Sequence, residues 1–474
     1  MEDRPAEKGG HRLLTGWGRT APTAARVVRP RTAAEAGRLL REAAAAGTGA
    51  GRGADDDGGV GRGAIARGLG RSYGDAAQCA GGLVLDCTGL APGIRLDRAA
   101  GTVTASAGTA LSDLMAHLLP RGRFVPVTPG TRHVTVGGAI AADIHGKNHH
   151  ADSSIGAHVR SLRLVTPDGT EHVLGPGRDP ELFWATVGGM GLTGVVTEAT
   201  LDVIPVETAA VRVDTDRTPD LDAALALMSA SDHRYRYTVC WIDLMARGAA
   251  TGRGALTRAH HARAADLPPR LRRDPLAYAP RTLATAPAAV PPGMLNRWSV
   301  RAFNAAYHAR APRRARDRIQ GIGSFFHPLD AVRGWNRLYG PRGLVQYQFV
   351  VPFGAEGTLR RIVERLAAAG APSFLAVLKR FGDGTPAPLS FPMPGWTLAL
   401  DLPAGLPGLA ALLRSFDTAV AEAGGRIYLA KDSRANATDV HAMYPRLPEW
   451  QATRSRADPD GILTSDLARR LELV

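Results

Sequence analysis

The hydrophobic pattern divides this chain into short β-branched runs separated by glycine- and proline-rich turns, with a few helical windows between them. Thr32–Gly47 reads as a helix, with Thr32 as its N-cap and Gly47 as its stop. Leu83–Cys87 and Thr102–Ala107 read as short strands, and Leu111–Leu119 as a helix leading to Pro126–Pro129. Leu162–Val165 and Glu171–Leu174 flank Thr166-Pro167-Asp168-Gly169, a hairpin turn signal. From about Glu207 the character changes. Tyr235–Asp243, Leu344–Pro352, Ser373–Lys379 and Trp396–Leu400 read as strands of a second sheet. Gln346 and Gln348 share one face of their strand, because side chains repeat every second residue. Gly49–Gly63 and the Pro-, Ala- and Arg-rich Asp266–Pro292 read as mobile segments, the second as an excursion or lid.

Three glycine-rich stretches interrupt this pattern. In Ala66–Asp75 (ARGLGRSYGD), Gly68, Gly70 and Gly74 let successive backbone N–H groups point into one concavity, and Arg67 and Arg71 add charge. Pyrophosphate suits such a nest; a glycine-rich hairpin loop is the plainer reading. In Pro129–His150, Gly137 and Gly138 allow close backbone approach to something flat or anionic, beside the small side chains of Ala139, Ala141 and Ala142. His145, Lys147, His149 and His150 then crowd into six residues. In Phe183–Val196, Gly189, Gly191 and Gly194 match the dinucleotide fingerprint G-x-G-x-x-G, which needs a helix after its last glycine. Here Val195–Val203 is β-branched and reads as a strand, so a Rossmann fold is rejected in favour of another glycine-rich wall.

Length, 474 residues, implies at least two domains. The net charge of +14 favours phosphate-bearing partners. Aromatic residues are only 6%, and no zinc-finger or RNP-type motif is present, so nucleic acid is not expected. Cys79, Cys87 and Cys240 show neither disulfide nor zinc spacing, and no metal is expected. The amino terminus lacks an apolar h-region, and no run of about 18 apolar residues occurs. A cytoplasmic or membrane-associated protein is expected, the periplasmic face being left open. Arg310, Arg313, Arg314, Arg316 and Arg318 form a basic cluster, either a solvated helix face or a site for an anionic lipid surface.

Taken together, ARGLGRSYGD, PGTRHVTVGGAIAADIHGKNHH and FWATVGGMGLTG resemble the FAD-binding domain of the vanillyl-alcohol-oxidase type. More narrowly, Leu14–Pro22 (LTGWGRTAP), Phe325–Asp330 (FFHPLD), Trp335–Pro341 (WNRLYGP), Gln346–Val350 (QYQFV), Pro388–Trp396 (PLSFPMPGW), Ala430–Arg434 (AKDSR) and Ala468–Leu473 (ARRLEL) resemble the decaprenylphosphoryl-β-D-ribose 2′-oxidase family. The resemblance implies an α+β, two-domain flavoprotein. Residues 1–206 would form the FAD-binding domain and 207–424 a substrate domain on an antiparallel sheet with flanking helices and mobile loops near 266–298 and 326–336. Residues 425–474 would return to the FAD domain.

The resemblance further implies that Ala66, Arg67, Gly68, Leu69, Gly70, Arg71, Ser72 and Tyr73 cradle the FAD pyrophosphate. Pro129, Gly130, Thr131, Val134, Thr135, Gly137, Gly138, Ala139, Ile144, His145, Gly146 and Val196 would line the rest of the cofactor, with Tyr428 and Lys431 closing over its isoalloxazine. FAD is expected to be non-covalent, although His145 stands where wider relatives attach it. Trp241, Gln346, Gln348, Lys379, Thr397, Ala399 and Lys431 would contact substrate, a polyprenylphosphoryl ribose, and an NAD-dependent keto-reductase would complete its epimerisation to the donor for cell-wall arabinan. Oxidising a secondary alcohol requires a base for the hydroxyl proton, for which His145 and Lys147 are candidates, and a cation where charge develops, for which Lys431 is the candidate.

Two positions depart from the family. Ala399 replaces a cysteine that nitroaromatic inhibitors capture, and Phe326 replaces a tyrosine near the loops. The competing readings are an FAD-dependent oxidase of a soluble sugar, alditol or aldonolactone, and a non-catalytic basic binding protein.

Overall fold

The computed structural model describes residues 10–47, 62–288, 290–291 and 293–474. Most of the expected Gly/Asp-rich loop, through Gly61, lies outside the described residues. The helix Ala33–Gly47 begins as expected: the Thr32 hydroxyl accepts the Glu35 N–H at 3.1 Å, satisfying one of the first-turn donors that no carbonyl can reach. Its neighbours His11–Leu14, Thr23–Val28, Leu83–Asp86 and Ala64–Arg67 lie in that spatial order in one sheet, the last three mutually parallel. A five-stranded antiparallel sheet follows, in the order Ile94–Asp97, Thr102–Ser106, Val195–Asp202, Val159–Val165, Glu171–Leu174. The run after the G-x-G-x-x-G match is thus a strand, and the Rossmann reading is excluded by the fold.

The second half builds an eight-stranded antiparallel sheet, on which Leu344–Pro352 is paired with Gly395–Pro403 along its whole length. Alternation decides what each strand does. Tyr347, Phe349, Leu398 and Leu400 join a core with Leu359, Ile362, Leu413 and Phe416 of the helices Glu356–Ala369 and Leu409–Glu422. Gln346, Gln348, Lys379 and Ala399 project from the other face. The expected strand Ser373–Lys379 is shifted to Ala376–Phe381, because the Ser373 hydroxyl and carbonyl are spent on Leu375 and Asn304. The basic cluster is not a helix face. Pro312 follows the helix Arg297–Arg310, and Arg314–Gly321 continues as the edge strand, where Arg316 pairs with Asp216 at 2.8 Å.

The chain's end is woven into its beginning. Ala64 exchanges backbone hydrogen bonds with Ile462 and Thr464 at 2.8 and 3.0 Å, and the short strand Arg426–Ile427 joins the large sheet beside Leu344–Pro352. Arg470 then makes a two-pronged contact with Asp75 at 2.7 and 2.9 Å, and reaches Asp432 at 2.8 Å and the Ala435 carbonyl at 2.7 Å. One guanidinium therefore ties the Ala66–Asp75 loop to the loop containing Lys431. Substituting Arg470→Ala strands two carboxylates and should lower the unfolding free energy by about 3 kcal/mol. Urea denaturation monitored by tryptophan fluorescence measures that loss, and an unchanged midpoint would refute the clamp.

Candidate active site

The glycine-rich stretches meet the open face of the large sheet around a cavity of about 520 Å³, within the ~300–1,000 Å³ range of cofactor and substrate sites. Residues Ala66 to Tyr73 form one end. Gly70 has φ +62°, the left-handed conformation that turns the nest, and a Cβ on Gly68 would fall 2.3 Å from the Thr135 hydroxyl. The two glycine walls approach each other only because that side chain is absent. Thr135 caps the short helix Val136–Ala141 through the Gly138 N–H, which leaves the backbone of Gly137 and Gly138 bordering the cavity.

Arg67 and Arg71 have different tasks. Arg67 is buried with its guanidinium committed to the Thr15 and Ala77 carbonyls at 2.7 and 2.9 Å, so it shapes the loop. Arg71 stacks over Trp17, 3.9 Å from the ring centroid, and its buried Nε has no protein partner. A bare glycine cradle with an unsatisfied guanidinium N–H fits the pyrophosphate of a dinucleotide.

Three half-buried lysines, Lys147, Lys379 and Lys431, line the cavity. The Lys147 ammonium donates to the Phe325 carbonyl and lies 4.2 Å from that ring's centroid; burial pulls its pKa down to about 7. Burial, then Lys431 and Lys147, bring Lys379 down to about 7 as well. Lys431 sits 4.2 Å over the Tyr73 ring; burial lowers its pKa while Asp401 opposes the shift. Asp401, fully buried, is raised by burial and accepts a hydrogen bond from the Gln346 amide. Gln348 donates to His145 Nε2 at 2.9 Å and to the Thr397 hydroxyl at 3.2 Å. That contact occupies the lone pair His145 would need as a base, and burial followed by Lys379, His149 and Lys431 depresses its pKa far below the usual histidine range. Of the two candidate bases, Lys147 is the one whose pKa lies near neutrality.

Nearly all the expected positions line this cavity, including Pro129, Gly130, Thr131, Val134, Ile144, Gly146, Val196, Trp241 and Tyr428. Two do not. Ala139 points from the far side of its helix into the core, and Thr397 stands behind Gln348, its hydroxyl donating to the Phe349 carbonyl at 2.8 Å. His149 and His150, conspicuous in the sequence, are also structural: His149 packs on Phe381 at 4.4 Å, and His150 bonds the Tyr235 carbonyl. Phe326 is fully buried against Phe124 and Tyr237 and also lines the cavity, as a wall rather than an exposed loop residue. Sequence reasoning missed Trp17, Met190, Tyr307, Phe325 and Trp335, apolar residues on separate elements with no local signal that they converge.

Two family models match the chain, an FAD binding domain over residues 24–175 and D-arabinono-1,4-lactone oxidase over residues 405–471. The decaprenylphosphoryl-β-D-ribose oxidase of Mycolicibacterium smegmatis is 44% identical over 463 residues, covering 97% of each chain. An uncharacterized protein in the mprA 5′ region of Streptomyces coelicolor is 44% identical over 365 residues, 75% of this chain and 98% of its own. An alditol oxidase of a Streptomyces species is 29% identical over 194 residues, 40% of this chain and 42% of its own.

Desolvating these lysines has a measurable cost. Between its folded pKa of about 7 and the ordinary 10.5, Lys147 binds fewer protons folded than unfolded, so its burial penalty fades as pH rises through that window. In the FAD-free protein, Lys147→Met should therefore be more stable than the unaltered chain at pH 7, with the advantage shrinking toward pH 10. Parallel urea titrations at the two pH values check this; an advantage that grew with pH would contradict it.

Proposed function

The chain belongs to the decaprenylphosphoryl-β-D-ribose oxidase family of FAD-dependent oxidoreductases, and from that premise we propose that it oxidises the 2′-hydroxyl of a polyprenylphosphoryl-β-D-ribose to the ketone. One observation carries the substrate assignment. Three lysines and two braced glutamines share a cavity that, among the described residues, no Asp or Glu lines. A phosphorylated sugar brings the negative charge those ammonium groups lack and the hydroxyls the amides can recognise.

FAD, the cofactor of the family, supplies the two-electron acceptor when bound. Ala66 to Tyr73 would hold its pyrophosphate, and Thr135, Gly137, Gly138, His145 and Tyr428 the remainder. Tyr428 is fixed for this by its hydroxyl, which donates to the Ala142 carbonyl at 2.7 Å. Lys147, with a pKa near neutrality, takes the hydroxyl proton. Lys431 offsets negative charge as it develops, and Lys379 holds the substrate phosphate. Gln346 and Gln348, braced by Asp401 and Thr397, orient the ribose. The ketone then passes to an NAD-dependent reductase, completing an epimerisation that feeds cell-wall arabinan. Among the described residues no helix is long and apolar enough to cross a membrane.

Anaerobic addition of a polyprenylphosphoryl ribose should bleach the visible flavin bands, and free ribose should not. Bleaching by free sugars or alditols instead would assign a soluble-sugar oxidase. Lys431→Met should lower kcat by at least ~100-fold, the scale of a lost charge-stabilising group, with FAD retained. Because Ala399 offers no thiol at the cavity wall, incubation with a nitroaromatic inhibitor under turnover should leave the protein's mass unchanged, whereas Ala399→Cys should gain an adduct.

A further inference from the structure

The helix Arg297–Arg310 is held by one face only. Val300 and Asn304 are buried, and the Asn304 amide donates to Asp243 at 2.9 Å and to the Ser373 carbonyl at 3.1 Å. Tyr307 packs on Trp241 with ring centroids 4.6 Å apart. At helical spacing the opposite, solvent-facing side is Trp298, Ala302, Ala305 and Ala309, without a polar side chain. Trp298 is 65% exposed. A surface helix ordinarily turns its charged face to water, and this one does the reverse.

The charge lies at the borders. Arg301 and Arg310 are exposed on opposite flanks of the apolar stripe, and between Asp274 and Asp317 the chain carries seven arginines and no acidic residue. Apolar and aromatic residues at the centre with cations at the rim match a helix lying in the plane of an anionic membrane interface. A protein partner would be expected to meet some complementary acid here, and none is present in this segment. The same helix borders the active-site cavity, since Tyr307 lines it.

We propose that Arg297–Arg310 is the membrane-docking element, with Trp298 and the alanine face in the headgroup–acyl boundary and the flanking arginines on lipid phosphates. Its purpose rests on the lipid-linked substrate reading: the polyprenylphosphoryl sugar leaves the bilayer beside Tyr307 and enters the cavity without crossing water.

Flotation of the holoenzyme with vesicles tests the assignment. The protein should bind vesicles containing about one-third phosphatidylglycerol, bind pure phosphatidylcholine weakly, and be released by salt. Trp298→Glu and Ala305→Glu should each weaken anionic-vesicle binding at least about tenfold. Both should retain the flavin spectrum and turnover of a short-chain, water-soluble prenylphosphoryl ribose. Absence of vesicle binding by the unaltered protein, or undiminished binding by both variants, would overturn the proposal. So would a dimer in sedimentation that Trp298→Glu dissolves while vesicle binding persists, which would give the face to a second copy. Vesicle binding without bleaching by the prenylphosphoryl ribose would remove the substrate reading and leave the docking surface standing; bleaching without vesicle binding would do the opposite.

Discussion

Three lysines line one cavity, and among the described residues the only carboxylate that opposes the lowering of any of them is Asp401, behind Gln346, which acts on Lys431. Each is lowered by desolvation, and Lys431 and Lys147 further raise the cost of charging Lys379. A chain relieved of function would relax such a site by swinging a lysine to water. Here the surrounding walls are braced by groups that do not line the cavity. Arg470 ties Asp75 to Asp432, holding the phosphate-side loop against the Lys431 loop. Asp143, with no exposed surface, accepts hydrogen bonds from Ser154, Gly156, Thr385 and Ser390, and so joins the segment before His145 to a loop of the second half. An anionic ligand bound beside these lysines would offset that electrostatic cost.

The two sides of the cavity are built on opposite principles. One is backbone: glycines that admit close approach, a capped short helix, and a turn closed by a left-handed residue. The other is side chain, projected from a sheet whose alternation sends every second residue to the helical core. Gln346 and Gln348 are precise because their neighbours Tyr347 and Phe349 are locked in that core. Oxidation of a secondary alcohol suits this division, since a flat cofactor needs a bare wall and a chiral sugar needs positioned polar groups.

The exposed face of Arg297–Arg310 extends the same economy outward. Asn304 and Tyr307 fix the helix from below, which leaves its apolar stripe to the outside and its aromatic end at the cavity. The helix that carries the proposed docking face reaches the cavity through one residue pair, Trp241 and Tyr307.

Some of this was written locally and therefore legible in order along the chain. The glycine walls, the Thr32 cap, the hairpin around Asp168 and the shared face of Gln346 and Gln348 each follow from a few contiguous residues, because turn chemistry and strand alternation are short-range. The strand after Gly194 was readable for the same reason, and with it the failure of the dinucleotide fingerprint. Tertiary structure alone decided the rest. It turned Arg67 inward to two carbonyls and left Arg71 free to face the nest, although both arginines sit in one glycine-rich loop. It set His145 against Gln348, and it placed Thr397 and Ala139 one layer behind the wall. It brought Lys147 together with Lys379 and Lys431, more than two hundred residues further along the chain. Burial and pKa depend on what packs around a group in space, and no local pattern carries that information.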